Sequence, residues 1–172
     1  MSPSNDAHDR RVGRHKNLVG FELGDVHYAL EIGRVREIIH PIPHVAIPHA
    51  PISVIGVADH RSAVVPVIDV RTRFGLRRVE PTRRTRWILV ESKVGRVAFV
   101  VDCVTDVFGT HVDEQRAVPT LGVGDDARAI LAVYSSHGRL VFVIDADRVA
   151  AVAADVDVSL GAALLENGGS SR

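Results

Sequence analysis

Histidine is the residue type in this 172-residue chain that first suggests a metal site. Three histidines share one proline-rich segment, residues 40–51, and a fourth follows it closely in the sequence: His40, His44, His49 and His60. Closely spaced histidines bind zinc when a second pair of ligands, often cysteines, completes the site. The segment contains no cysteine, so we predict solvated histidines that titrate near neutrality and no metal site.

Two aspartates occupy equivalent places, since Asp69 and Asp145 each end an apolar run. Two carboxylates that face each other across a cleft would suit a hydrolase. Neither aspartate has a histidine or lysine at a spacing that supports catalysis, and an aspartate at a strand end can accept hydrogen bonds from the following turn. We therefore predict no catalytic residues and no enzymatic activity; a small hydrolase is the alternative.

Cysteine and arginine give no stronger signal of chemistry. Cys103 is the only cysteine, which excludes an intramolecular disulfide, and without an identifiable activating base it is interpreted as a buried structural residue. The loop of residues 76–86 contains five arginines, but aromatic residues make up only 5% of the chain and the net charge is zero. Base stacking and nucleic-acid binding are therefore not expected. We predict a solvated loop, with phosphate binding as the alternative, and no cofactor.

The composition indicates a soluble domain with its own core. At 46% apolar, the chain suits one domain or two small subdomains that share an interface. No apolar run approaches the roughly 20 residues of a membrane span, so we expect a cytoplasmic protein without membrane insertion. Residues 1–16 have almost nothing to bury, which predicts a disordered tail, and residues 151–172 are predicted to form a C-terminal helix and tail.

Short strands separated by turns recur along residues 17–150. The pattern of residues 18–39 returns at 87–108, 69 positions later, and residues 56–70 superpose on 132–146, 76 positions later. No amphipathic helix of 10–15 residues separates the strands, which argues against a βαβ architecture. The duplication predicts an all-β fold of two similar small barrels.

One hairpin carries the best candidate for a binding surface. The run from Val54 to Leu76 reads as strand, turn and strand, and four polar residues form its exposed tip: Asp59, His60, Arg61 and Ser62. A guanidinium on such a tip can pair with a carboxylate or with backbone carbonyls of a partner. Val35, Ile38 and Ile39 could line an apolar groove beside it; the alternative is that these three are ordinary core residues.

Four segments together resemble the CheW-like family, the coupling proteins of bacterial chemosensory arrays. They read LVGFELGDVHYALEIGRVREII, VIGVADHRSAVVPVIDVRTRFGL, ILVESKVGRVAFVVDCVTDV and ILAVYSSHGRLVFVIDADRV, from Leu18 to about Val149. The resemblance implies two five-stranded SH3-like barrels packed side by side and a non-enzymatic adaptor. The implied partners are the cytoplasmic hairpin tip of a methyl-accepting chemoreceptor and the regulatory domain of a CheA-type histidine kinase, with other CheW-like proteins as a further class.

By resemblance, the partner-facing positions are Val35, Glu37, Ile38 and the hairpin tip with Arg61. The tip departs from the family's usual Gly-(Leu/Val)-x-Asn-Leu-Arg-Gly, because aspartate, histidine and serine replace Asn, Leu and the last Gly. A serine at that last position is strained if its φ is positive. The departures suggest an alternative function, an adaptor that binds the receptor without the kinase and modulates or organises the array.

Overall fold

The computed structural model describes residues 16–111, 114–118 and 129–168, which form two β-sheets and three short α-helices. The strands in chain order are β1 (Lys16–Leu23), β2 (Val26–Glu31), β3 (Val35–Ile39), β4 (Val54–His60), β5 (Ala63–Asp69), β6 (Arg86–Ser92), β7 (Gly95–Val101), β8 (Cys103–Thr110), β9 (Gln115–Arg116), β10 (Ile130–Ser136) and β11 (Arg139–Ile144). The helices are α1 (Val70–Arg73), α2 (Ala146–Ala150) and α3 (Val158–Gly168).

The structure describes only part of the two predicted tails. Lys16, the last residue of the predicted N-terminal tail, is the first residue of β1, and the other residues of that tail lie outside the described part of the chain. Helix α3 confirms the predicted C-terminal helix. Residues 169–172 lie outside the described residues.

Each β-sheet combines strands from both sequence repeats. The six-stranded sheet has the order β8-β1-β2-β11-β10-β9, and the five-stranded sheet has the order β3-β6-β7-β5-β4. One junction in each is parallel: Val143 pairs with Ala29, and Val67 pairs with Ala98. These two pairings are related by the same offsets of 76 and 69 positions as the sequence repeats. The duplication is therefore confirmed, with one hairpin of each repeat exchanged between the sheets.

Three apolar clusters form the core, and one of them joins the two sheets. The largest lies between the sheets and joins residues such as Phe21 of β1 to residues such as Phe99 of β7. A second cluster, which includes Tyr134, covers the other face of the six-stranded sheet, and a third, which includes Trp87, covers the other face of the five-stranded sheet. Each sheet thus buries both faces, as the predicted pair of SH3-like barrels packed side by side requires.

Both strand-end aspartates cap a short helix. Asp69 accepts hydrogen bonds from the backbone N–H of Thr72 at 3.3 Å and from its hydroxyl at 3.0 Å, where α1 begins. Asp145 accepts from the backbone N–H groups of Asp147 at 2.9 Å and Arg148 at 3.2 Å, where α2 begins. Capping satisfies N–H groups that the first helical turn leaves unpaired, and it confirms the structural role predicted for both carboxylates.

The C-terminal helix α3 packs on the hairpin of β4 and β5. Gly161 approaches the fully buried Val57 so closely that a Cβ atom at position 161 would lie 2.3 Å from its Cγ2 atom. The absence of a side chain at position 161 is thus what allows the helix to sit at this distance. Among the described residues, no helix is long and apolar enough to cross a membrane.

Candidate partner-binding surface

A two-residue turn forms the tip of the hairpin of β4 and β5. His60 pairs with Ala63 across the strands, and between them Arg61 and Ser62 have φ angles of +52° and +64°, as in a type I′ turn. The Asp59 carboxylate accepts a hydrogen bond from the Ser62 backbone N–H at 2.9 Å. The predicted hairpin tip is confirmed, and Ser62 has the positive φ that favours glycine.

Glu37 connects this tip to the opposite edge of the five-stranded sheet, because it lies on β3 and the tip lies at the end of β4. Its Oε1 atom accepts a hydrogen bond from Arg61 Nη2 at 2.9 Å, and its Oε2 atom lies 3.4 Å from His60 Nε2. The Glu37 side chain is 33% exposed and that of His60 is 11% exposed, whereas Arg61 is 75% exposed. We call Glu37, His60 and Arg61 the tip cluster.

The apolar positions beside the tip cluster differ in exposure. Ile38 pairs with Ile88 and therefore lies on the side of β3 that faces the core between the sheets, which Val35 also contacts. Ile38 is 39% exposed at the margin of that core, whereas Val35 is half-buried. Ile39 is half-buried and packs against the core around Trp87. Of the three residues considered for an apolar groove, Ile38 alone is exposed and the other two contribute to the core.

The arginine-rich loop is positioned by carboxylates of neighbouring elements. Arg78 Nε donates a hydrogen bond to Asp69 at 3.0 Å, and Arg84 Nη2 lies 3.6 Å from Glu22. Both arginine side chains nevertheless remain more than half exposed. The loop is therefore solvated, as predicted, and it is also fixed to the strands by ion pairs that the sequence spacing did not indicate.

Cys103 is a buried thiol whose Sγ donates a hydrogen bond to the Glu22 carboxylate at 3.1 Å. Burial raises the pKa of the Cys103 thiol to about 11, and the hydrogen bond to Glu22 and the negative charge of that carboxylate add to the shift. Because the thiolate is the nucleophilic form of cysteine, such a thiol reacts slowly at neutral pH. This environment agrees with the structural role predicted for Cys103.

Three histidines of the described residues lie in separate environments. His44 lies in the proline-rich segment and packs edge-on against Trp87, with ring centroids 5.8 Å apart, whereas His60 belongs to the tip cluster. His27, which no sequence pattern singled out, lies 3.4 Å from Glu22. In the described ranges, no group of three or more His, Cys, Asp or Glu side chains could hold a metal ion.

Comparison with known proteins agrees with this architecture over most of the chain. The family model of the CheW-like domain matches residues 17–154. The chemotaxis protein CheW of Rhizobium meliloti (strain 1021) is 34% identical over 139 residues, which cover 78% of this chain and 86% of that protein. The chemotaxis protein CheW of Helicobacter pylori is 28% identical over 132 residues, which cover 77% of this chain and 79% of that protein.

A solved structure supports the same fold. The crystal structure of the scaffolding protein TtCheW from Thermoanaerobacter tengcongensis superposes with a TM-score of 0.72 at 24% identity, covering 78% of this chain and 91% of that one. The family-model match over residues 17–154 includes the tip cluster and nearly all strand residues of both sheets. The chain therefore belongs to the CheW-like domain family.

Proposed function

We propose that this protein is a non-enzymatic coupling adaptor, which links methyl-accepting chemoreceptors to a CheA-type histidine kinase. Membership of the CheW-like family and relatives named chemotaxis protein CheW support this role. The observation that carries the proposal is the exposed Arg61 guanidinium on a two-residue turn between paired strands. We expect the protein to act in the cytoplasm, in association with chemosensory arrays.

The partner-binding surface in this proposal is the hairpin tip together with the start of β3: Val35, Glu37, Ile38, Asp59, His60, Arg61 and Ser62. Arg61 contacts Glu37 through one of its nitrogen atoms, and a guanidinium has five N–H donors in a planar fork. The remaining donors can pair with a carboxylate or backbone carbonyls of a receptor hairpin. Ile38, exposed at the margin of the core, supplies apolar area beside that polar contact.

The geometry of the tip supports a binding role for a physical reason. A two-residue turn between paired strands leaves the tip little conformational freedom to lose on binding, so the entropic cost of ordering it is small. The Asp59 hydrogen bond to the turn restricts the tip further. Arginine is enriched among binding hot spots, and here it lies on a restricted backbone turn beside a partly apolar surface.

The alternative is an adaptor that binds the receptor but not the kinase. It was suggested by the replaced residues Asp59, His60 and Ser62. These residues complete a regular hairpin turn, and nothing in the described part of the chain favours the alternative over the coupling role. Binding measurements with each partner separate the two.

The test is isothermal titration calorimetry of the purified protein against a cognate receptor hairpin fragment and, separately, the cognate kinase regulatory domain. The coupling role predicts binding to both, and the alternative predicts binding to the receptor fragment only. Arg61→Ala should weaken at least one interaction by more than about 1 kcal/mol if Arg61 is a binding hot spot. Failure to bind either partner would contradict the proposed function.

Arg148→Ala provides the matched control. Arg148 also lies near a carboxylate, with its Nε atom 3.5 Å from Asp145, and its side chain is 57% exposed. Its surface environment is similar to that of Arg61, but it lies on α2, outside the proposed surface. Arg148→Ala should therefore leave both affinities unchanged, and an equal loss in both variants would point to a general charge effect.

A further inference from the structure

In the tip cluster, one carboxylate has two basic neighbours, of which only one carries a permanent charge. Arg61 is charged at every physiological pH and donates a hydrogen bond to Glu37 at 2.9 Å. His60 Nε2 lies 3.4 Å from the other carboxylate oxygen, which is beyond the usual hydrogen-bond length. An imidazole is a cation only when it is protonated, so Glu37 has one constant partner and one conditional partner.

The two neighbours also differ in their freedom to move. Arg61 is 75% exposed, so its side chain can turn toward a bound molecule, whereas His60 is 11% exposed and stays beside Glu37. If a partner takes Arg61, the partly buried Glu37 carboxylate loses its hydrogen bond. A carboxylate that is shielded from water is unfavourable without a partner, and protonation of His60 would supply one.

We propose that His60 is a positioning residue: when its imidazole is protonated, it pairs with Glu37 in place of Arg61, which releases Arg61 for partner binding. This inference rests on the proposed function, because it takes Arg61 as the group that engages a partner. It also gives a reason for the departure at position 60, where the family's usual leucine could not hold Glu37. Histidine makes the release of Arg61 responsive to protons.

Charged groups on the elements packed against the hairpin have other partners or no described contact with His60. The same is true of the three histidines in the segment of residues 40–51, which pairs with β4 through Val45 and Val57. On β4, Asp59 is hydrogen-bonded to the turn backbone, and on β3, Arg36 pairs with Glu91. The cross-strand neighbour of His60 on β5 is an alanine. Helix α3 packs on β4 and β5 and contributes Glu166; Asp157, just before it, accepts hydrogen bonds from the first helical turn. Among the described contacts of His60, Glu37 is therefore the carboxylate with which a protonated imidazole would pair.

The direction of the pH effect follows from proton linkage. With Arg61 drawn away, Glu37 favours the charged imidazole more strongly, so the partner-bound state takes up protons more readily than the free state. A state that binds more protons is favoured as the pH falls. Affinity at the tip should therefore rise as the pH is lowered through the range of about 5 to 8 in which imidazoles titrate.

The first experiment needs no partner. The NMR titration midpoint of the His60 imidazole is measured in the wild-type protein and in Arg61→Ala, where it should rise by about 0.5 pH unit because Arg61 no longer competes for Glu37. In a Glu37→Gln background, Arg61→Ala should produce less than half of that rise. An unchanged midpoint, or an equal rise in both backgrounds, would overturn the role of His60.

The second experiment measures binding of a cognate receptor hairpin fragment between pH 8 and pH 6. Wild-type affinity should increase by up to about 3-fold more than that of His60→Gln, which keeps a polar side chain but does not titrate; this factor is the limit set by a 0.5-unit linkage. Equal pH dependence in the two proteins would contradict the inference. Absence of binding at any pH would instead contradict the proposed function, and the partner-free titration would still decide the role of His60.

Discussion

The carboxylate of Glu37 lies 2.9 Å from the guanidinium of Arg61 and joins the two edge strands of the five-stranded sheet. The two residues are 24 positions apart in the sequence, and no backbone hydrogen bonds pair β3 with β4 in the sheet order. In the free protein, the side-chain pair therefore holds an exposed cation near the margin of the core. Its main effect should be on recognition, not on folding.

Arg61→Ala should accordingly change the free energy of unfolding by less than about 1 kcal/mol, because an exposed ion pair contributes little in water. Urea denaturation of wild-type and variant proteins measures this difference. Arg61→Lys, which keeps the charge but loses the planar fork, should be equally stable. A loss of several kcal/mol in Arg61→Ala would mean that the pair is a folding element.

Ser62→Gly should stabilise the protein relative to Ser62→Ala by about 1 kcal/mol, because only glycine adopts the φ of +64° without steric cost. The equivalent turn of the second repeat already has this solution, with Gly138 at φ +75° after His137 at φ +49°. Both variants lose the hydroxyl group, so their difference in urea denaturation isolates the backbone effect. Equal stabilities would show that the turn relaxes when its residue changes.

Asp69→Ala should be more destabilising than Asp145→Ala, although both residues cap a helix. Losing a cap costs about 1 kcal/mol, and Asp69 also accepts hydrogen bonds from the Thr72 hydroxyl and from Arg78. We expect a loss of about 2 kcal/mol for Asp69→Ala, since its side chain is only 8% exposed. Thermal and urea denaturation check the order, and the reverse order would contradict the capping account.

Acid should weaken the fold partly through Asp147. Burial acts to raise the pKa of this carboxyl, but the Lys93 backbone N–H and the Arg34 guanidinium together lower it below the usual 3.8. The ionised form therefore stabilises the folded state above pH 3.8, and this contribution is lost as the pH falls through the lowered folded pKa. Wild-type stability should fall more steeply than that of Asp147→Asn below about pH 4. Parallel curves would contradict this.

Gly161→Ala should destabilise the protein by about 1 kcal/mol or more, even though alanine is the better helix former. The added methyl group would lie 2.3 Å from the Val57 side chain, so helix α3 must move. In a Val57→Ala background the same change should cost much less, because the opposing methyl groups are gone. Thermal denaturation of the four proteins forms a double-mutant cycle, and additive effects would contradict the proposed contact.

The sequence predicted the local features of the structure well. Alternating apolar residues and turn signals indicated the strands, and internal similarity indicated the duplication. The parallel pairs Val143–Ala29 and Val67–Ala98 reproduce the offsets of that duplication. The hairpin tip was predictable because Asp59 to Ser62 is a polar interruption between two apolar runs. Such features depend on neighbouring residues, whose preferences can be read along the chain.

The long-range features could not be predicted from the pattern. Exchange of hairpins between the sheets depends on β2 meeting β11, and no residue type marks that choice. The contact between Glu37 and Arg61 depends on two sheet edges that approach in space. Ile38 and Val35 are both apolar, so the sequence does not distinguish them. In the structure, Ile38 is exposed at the margin of the core, whereas Val35 is half-buried against it.

The order of strands has a consequence for synthesis of the protein. The five-stranded sheet uses β3 to β7, one continuous segment, whereas the six-stranded sheet needs Val141 of β11 to meet His27 of β2, 114 positions earlier. Contacts at such separation form late, because closing a long loop is entropically costly. We expect the nascent chain to complete the sheet that bears the tip cluster first. Strands β1 and β2 are already synthesised at that stage, but their sheet stays incomplete until β11 has been translated.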